Sequence, residues 1–165
     1  MGEYRRIEHT FLPVFDENSE ILILGSLPSV KSRENGFYYG HPQNRFWKVI
    51  AEIFEWELPH TIEEKKEMLL RSRIAIWDVI QSCDIIGSSD SSIKNVEPAD
   101  INLILGQSNI KAIYANGKTA GKLYGKFAKE RTGRDIIELP STSPANAAYN
   151  LERLIGEWKR IKNWN

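Results

Sequence analysis

The chain has a single cysteine, Cys83, among its 165 residues. A lone thiol excludes a disulfide framework within one chain, fits a reducing compartment and cannot hold an iron–sulfur cluster. The three histidines, His9, His41 and His60, are scattered, and no Cys, His or carboxylate spacing reads as a metal site. No apolar run approaches the ~20 residues of a membrane span, and the first residues lack the apolar core of a secretion signal. No membrane association and a cytoplasmic location, nucleoid-associated in a prokaryote, are expected. There is no G-x-G-x-x-G, P-loop or G-x-S-x-G, so neither a nucleotide phosphate cradle nor a serine nucleophile elbow is supported. Internal repeats and linker-like stretches are also missing, which predicts one domain over residues 1–165.

Net charge is absent as well, with 22 Lys and Arg against 22 Asp and Glu. A neutral chain argues weakly against a polyanion partner, but the charges are unevenly placed. Residues 1–110 carry 11 basic and 17 acidic side chains, while residues 111–165 carry 11 basic and 5 acidic. The basic last third could face phosphates. Equally, Lys118, Lys122, Lys126 and Lys129 have the spacing of one ordinary solvated helix face.

What the chain does contain is a repeated alternation. Ile21-Leu22-Ile23-Leu24 is a short apolar run closed by Gly25, the pattern of a buried parallel strand. Residues 74–77, continued by Val79 and Ile80, read the same way, as do 111–115 and 135–139. Between them, Phe46, Val49, Ile50 and Ile53 repeat at helical spacing, and Thr61 with Glu64 forms a capping box before a second helix. Pro98-Ala99-Asp100 opens a short helix through Leu105, and residues 117–131 form another, stopped by Gly133. Ser143 and Pro144 can start a last helix whose apolar face is Leu151, Leu154, Ile155 and Trp158. Alternation predicts a mostly parallel sheet with helices on both faces. The stretch 87–92, rich in serine, reads as a polar loop.

Two blocks follow predicted strands: Gly25-Ser26-Leu27-Pro28-Ser29 with Tyr38-Tyr39-Gly40-His41-Pro42-Gln43-Asn44-Arg45-Phe46-Trp47, and Pro140-Ser141-Thr142-Ser143-Pro144-Ala145-Asn146. In an open parallel sheet such loops meet at one edge and build one cleft. Together the blocks resemble the uracil-DNA glycosylase superfamily, and within it the hypoxanthine-DNA glycosylase branch, over roughly residues 20–160. The resemblance implies a three-layer α/β/α sandwich around a four-stranded parallel sheet. It implies an enzyme that flips a deaminated nucleotide out of DNA and hydrolyses its base–sugar bond in base excision repair. Hypoxanthine is the expected base, with uracil or xanthine as further candidates. The partner would be DNA carrying the damaged base; a monomer without cofactor or metal is expected. Leu27 stands where the wider family has a polar residue that orients water, and Ser141 where it often has histidine. That pair of departures resembles the hypoxanthine branch, and leaves Asn44 as the catalytic candidate.

The resemblance further assigns Gly25, Ser26, Leu27, Pro28, Tyr38, Tyr39 and Asp78 to a base pocket, and Ser29, Ser141, Ser143 and Asn146 to DNA backbone contacts. An Asn44 amide could donate to the leaving base or hold the attacking water; it could also cap the helix that follows. Tyr38 and Tyr39 could be core aromatics or a stacking platform. Asp78 could accept from a ring N–H or cap a loop. His41-Pro42 and Asn116-Gly117 read as turn geometry. Two alternatives stay open: a DNA- or lesion-binding module on the same fold without effective catalysis, and a small α/β enzyme for free nucleosides.

Overall fold

The computed structural model describes residues 2–162. Its centre is a four-stranded parallel sheet of β2 (Ile21–Gly25), β3 (Ile74–Asp78), β6 (Ala112–Asn116) and β7 (Ile137–Leu139), in the order β3-β2-β6-β7. All residues of β2 and β3 are buried, as continuous apolar runs in a covered parallel sheet should be. Gly25 lies opposite Asp78 in register, so both motif loops and the Asp78 carboxyl emerge at one sheet edge.

Helices α1 (Val30–Asn35), α2 (Phe46–Phe54) and α3 (Ile62–Arg71) link β2 to β3. The short helix α4 (Asn102–Leu105) precedes β6, helices α5 (Lys118–Phe127) and α6 (Lys129–Thr132) link β6 to β7, and α7 (Leu151–Trp158) follows. The two crossovers run in opposite directions across the sheet. Right-handedness therefore puts them on opposite faces, which produces the expected three-layer sandwich. Helix α7 packs on α2, where Trp158 meets Phe46 edge to face at 5.9 Å. The capping box of Thr61 and Glu64 opens α3 as expected.

Three expectations are corrected. The second strand does not run through Ile80. The chain turns at Val79 and starts β4 (Ile80–Ile85), the middle of an antiparallel sheet with β1 (Arg5–Glu8) and β5 (Lys94–Pro98). This sheet has its own small core of Ile80, Cys83 and Ile85, against which Leu27 packs. The polar stretch 87–92 is its β4–β5 connection and holds a single 3₁₀ turn, Asp90–Ser92. The helix over 117–131 breaks at Ala128. Finally, the last helix does not start at Ser143. It is capped by Asn150, whose side chain accepts from Arg153 N, and residues 143–149 form a turn-rich loop instead.

Among the described residues no helix is long and apolar enough to cross a membrane.

Candidate active site

The ends of β2, β3 and β6 and the loop after β7 enclose a cleft of about 380 Å³. Eleven of the twelve residues assigned from sequence line it: Gly25, Ser26, Leu27, Pro28, Ser29, Tyr38, Tyr39, Asn44, Asp78, Ser141 and Ser143. The twelfth, Asn146, lies outside the cleft. Its amide donates to Ser141 O at 3.0 Å, and its own carbonyl accepts from Arg45 at 3.2 Å, so it braces the loop from behind.

Asn44 stands on the wall just before α2. Its Oδ1 accepts from Phe46 N at 2.9 Å and from Thr142 Oγ1 at 2.8 Å. The amide of Phe46 can only donate, so it settles which end of the Asn44 side chain is oxygen. The Nδ2 group is left for the cleft. Thr142, fully buried, is held in turn by Asn116. Its backbone N donates to Asn116 Oδ1 at 3.0 Å, and its hydroxyl accepts from Asn116 Nδ2 at 3.1 Å. A directed chain thus runs from Asn116 through Thr142 to Asn44, each bond polarising the next. The N-cap of α2 is Arg45, so Asn44 stands one residue before the cap, where its oxygen takes the first helical N–H.

Arg45 ties the second loop to the first. Its guanidinium donates to the carbonyls of Tyr149, of Ser143 at 2.7 Å, of Asn146 at 3.2 Å and of Thr142 at 3.3 Å. Its backbone N also donates to Thr142 O. A planar fork with several donors suits such a convergence of carbonyls.

The floor is more polar than the sequence indicates. Asp78 is 3% exposed, and its Oδ2 lies 2.7 Å from Nε2 of His9, itself 7% exposed. A Cβ on Gly25 would stand 2.4 Å from Asp78 Oδ1 and 3.2 Å from the Tyr39 hydroxyl. Only glycine lets β2 end this close to the carboxylate. Tyr39 is held at φ 52°, a left-handed conformation rare for an aromatic residue, while its ring stacks on Phe46 at 4.1 Å. Among the described residues its hydroxyl, buried near Asn116, meets no group in hydrogen-bond geometry. Burial, and after it the charge of Asp78, pushes this phenol above its ordinary range, so it remains a donor. Tyr38 is turned into the core instead, with its hydroxyl donating to Leu12 O at 3.0 Å.

The remaining residues shape the rim. Ser29 caps α1, and its hydroxyl accepts from Ser32 N. Ser141 Oγ accepts from Ser143 N at 3.1 Å, and Ser143 Oγ from Ala145 N at 3.2 Å. Both hydroxyls therefore line a tight loop and do not sit at a helix tip. Gly117, at φ 97°, lies so near Ser141 that a Cβ would meet that side chain at 3.1 Å. Lys118 and Thr119 reach the cleft from the start of α5. Sequence reasoning missed Thr142, Arg45 and His9. Thr142 lies inside a singled-out block and Arg45 beside Asn44, but a histidine about 70 positions from its partner leaves no local signal. Among the described residues no group of His, Cys, Asp and Glu could hold a metal ion.

Residues 12–164 match the sequence model of the uracil DNA glycosylase superfamily. A hypoxanthine DNA glycosylase of Methanosarcina acetivorans is 36% identical over 157 residues, covering 94% of this chain and 98% of the relative. One from Methanosarcina barkeri is 39% identical over 114 residues, covering 68% of this chain and 72% of the relative. The solution NMR structure of a candidate uracil DNA glycosylase from Methanosarcina acetivorans superposes with a TM-score of 0.80 at 34% identity, over 95% of this chain and 97% of that one. Family model, relatives' sequences and superposed fold agree, and the chain belongs to the uracil DNA glycosylase superfamily, a family of DNA glycosylases.

Proposed function

We propose that this DNA glycosylase removes hypoxanthine from deaminated DNA in base excision repair, with uracil or xanthine as further substrates, by hydrolysing the N-glycosidic bond of an extruded nucleotide. The observation that carries the reading is the orientation of Asn44. Its oxygen is committed to Phe46 N and Thr142 Oγ1, so an amide N–H is what it offers to the cleft. When the bond to the sugar breaks, the base departs with negative charge spread over its ring and carbonyl oxygen. A donor fixed in advance stabilises that charge without rearranging, and one such donor contributes about 2.7–4 kcal/mol. The Tyr39 hydroxyl is a second donor on the same floor. Hypoxanthine and uracil leave more readily than adenine or cytosine because their carbonyls share the charge. Flipping also favours them, since a poorly paired base costs less to extrude.

Leu27 favours one rival reading, a lesion-binding module. Its side chain packs on the second sheet and offers no lone pair for water. A single assay separates the two: release of free base, at enzyme excess, from duplexes carrying deoxyinosine, deoxyuridine or deoxyxanthosine. Rapid hypoxanthine release supports the glycosylase. Tight duplex binding with every base retained supports the module.

The chemistry is monofunctional, ending at an abasic site. Lys118 lines the cleft from the first residue of α5, outside both motif loops. Borohydride added during turnover should trap no covalent adduct; a trapped adduct would make the enzyme a lyase.

A further inference from the structure

We propose that His9 is the positioning residue that sets base specificity. By holding one oxygen of Asp78 it makes the other a fixed acceptor, which selects bases with a ring N–H. This rests on the glycosylase reading above. His9 is delivered by the second sheet, not by either motif loop. Its backbone N donates to Gln81 O at 2.7 Å, and the Gln81 side chain donates back to His9 O at 3.1 Å. The ring meets Phe11 edge to face at 5.4 Å and lies tilted against Tyr38 at 5.7 Å.

The tautomer follows from the neighbours. Phe11 N donates to His9 Nδ1 at 3.2 Å, so that nitrogen presents a lone pair and the ring proton is on Nε2. Nε2–H then donates to Asp78 Oδ2 at 2.7 Å. This bond fixes the rotation of the carboxylate. Oδ1 is directed beneath Gly25 beside the Tyr39 hydroxyl, and Asp78 forms part of the cleft lining. An extruded hypoxanthine has N1–H, and uracil has N3–H; each can donate to such an oxygen. Adenine N1 and cytosine N3 carry lone pairs, which a carboxylate oxygen repels. A site that must accept from its substrate rejects analogues lacking the hydrogen far more strongly than a shape-only pocket does.

The polarity of the pair gives the test. In Asp78→Asn, His9 Nε2–H still requires an acceptor, so the new amide turns its oxygen to His9 and its NH2 to the cleft. Donor then faces N1–H, and single-turnover hypoxanthine release from a deoxyinosine duplex falls about 100-fold or more. His9→Glu alone sets two carboxylates together and falls as far. In the double variant the carboxylate introduced at position 9 accepts from the amide introduced at position 78. The amide oxygen then swings back to the cleft, and release recovers at least about tenfold over Asp78→Asn. Thermal melting of each variant verifies the fold. His9→Gln, which keeps a donor, and His9→Leu, which has none, decide the matter should the double variant not fold. Gln should stay within about tenfold of the parent, and Leu should lose about 100-fold. A folded double variant no better than Asp78→Asn, or equal rates for His9→Gln and His9→Leu, overturns the assignment. A parent that releases no base overturns the glycosylase reading itself and this inference with it.

Discussion

An asparagine whose oxygen already accepts two hydrogen bonds has only amide hydrogens left to give, and Asn44 is in that position. The two roles expected for it, donor to the base or holder of the water, can therefore be separated by a one-atom exchange. Asn44→Asp keeps shape and both wall contacts but turns an oxygen to the cleft. The donor role predicts that Asp slows hypoxanthine release as severely as Ala does, by about 100- to 1,000-fold, while duplex affinity changes little. A water-holding role predicts that Asp stays active. Thr142→Val tests the support behind Asn44. Valine fills the same space but strands Asn116 Nδ2 and frees one lone pair of Asn44. Denaturant unfolding should show a loss of about 1 kcal/mol, because a half-buried donor is left unpaired. Release should slow by up to about 100-fold, as a misplaced group does without being removed. Unchanged rates with unchanged stability would remove Thr142 from the site.

At the scale of elements, what the sequence reveals depends on whether a signal is local. Strand β2 and its neighbours are legible because a short apolar run closed by glycine carries its own evidence of burial. The second sheet is not, because β1 and β5 read Arg-Arg-Ile-Glu and Lys-Asn-Val-Glu-Pro and leave most residues exposed. The start of α7 misleads for another reason. Ser143-Pro144 is a sound helix opening, but Arg45 claims the carbonyls of Ser143, Asn146 and Tyr149 from about 100 residues away. A loop with its carbonyls turned toward one guanidinium cannot also run as a helix, so helical bonding waits for Asn150. The two motif blocks are legible as one site because both follow strands of the same sheet. His9 is not, because it comes from the sheet the sequence hides. The Arg45 clamp yields a prediction for the loop as a unit. Arg45→Lys keeps the charge but cannot serve four carbonyls in one plane. Unfolding stability should fall by about 1.5–3 kcal/mol. DNA affinity and base release should fall together, since Ser143 and Thr142 move with the loop. A variant that melts earlier yet binds and cleaves like the parent would show the clamp to be structural alone.

For the whole molecule, zero net charge conceals a division that the fold turns into geography. The basic last third contributes α5, whose first residues reach the cleft, and a second groove of about 600 Å³ continues past Thr119 between α5 and β5. Lys94, Lys122 and Lys126 line it. If the bound strand leaves the cleft along this groove, those lysines neutralise phosphates and release counterions, whereas the serines of the rim contact phosphate without charge. The two kinds of contact leave different signatures in salt. Each phosphate neutralised contributes about 0.9 to the slope of log affinity against log salt on duplex DNA. Lys122→Ala with Lys126→Ala should therefore flatten the slope by about 1.8. Ser143→Ala should weaken binding at every salt concentration and leave the slope as it was. Titrating one deoxyinosine duplex into the three proteins across a salt series reads both effects. The rate of base release at saturating enzyme should be unaltered by the lysine changes, because they act before the base enters the cleft. Equal slopes for all three would mean that the strand takes another path, and that the lysine row on α5 is an ordinary solvated face.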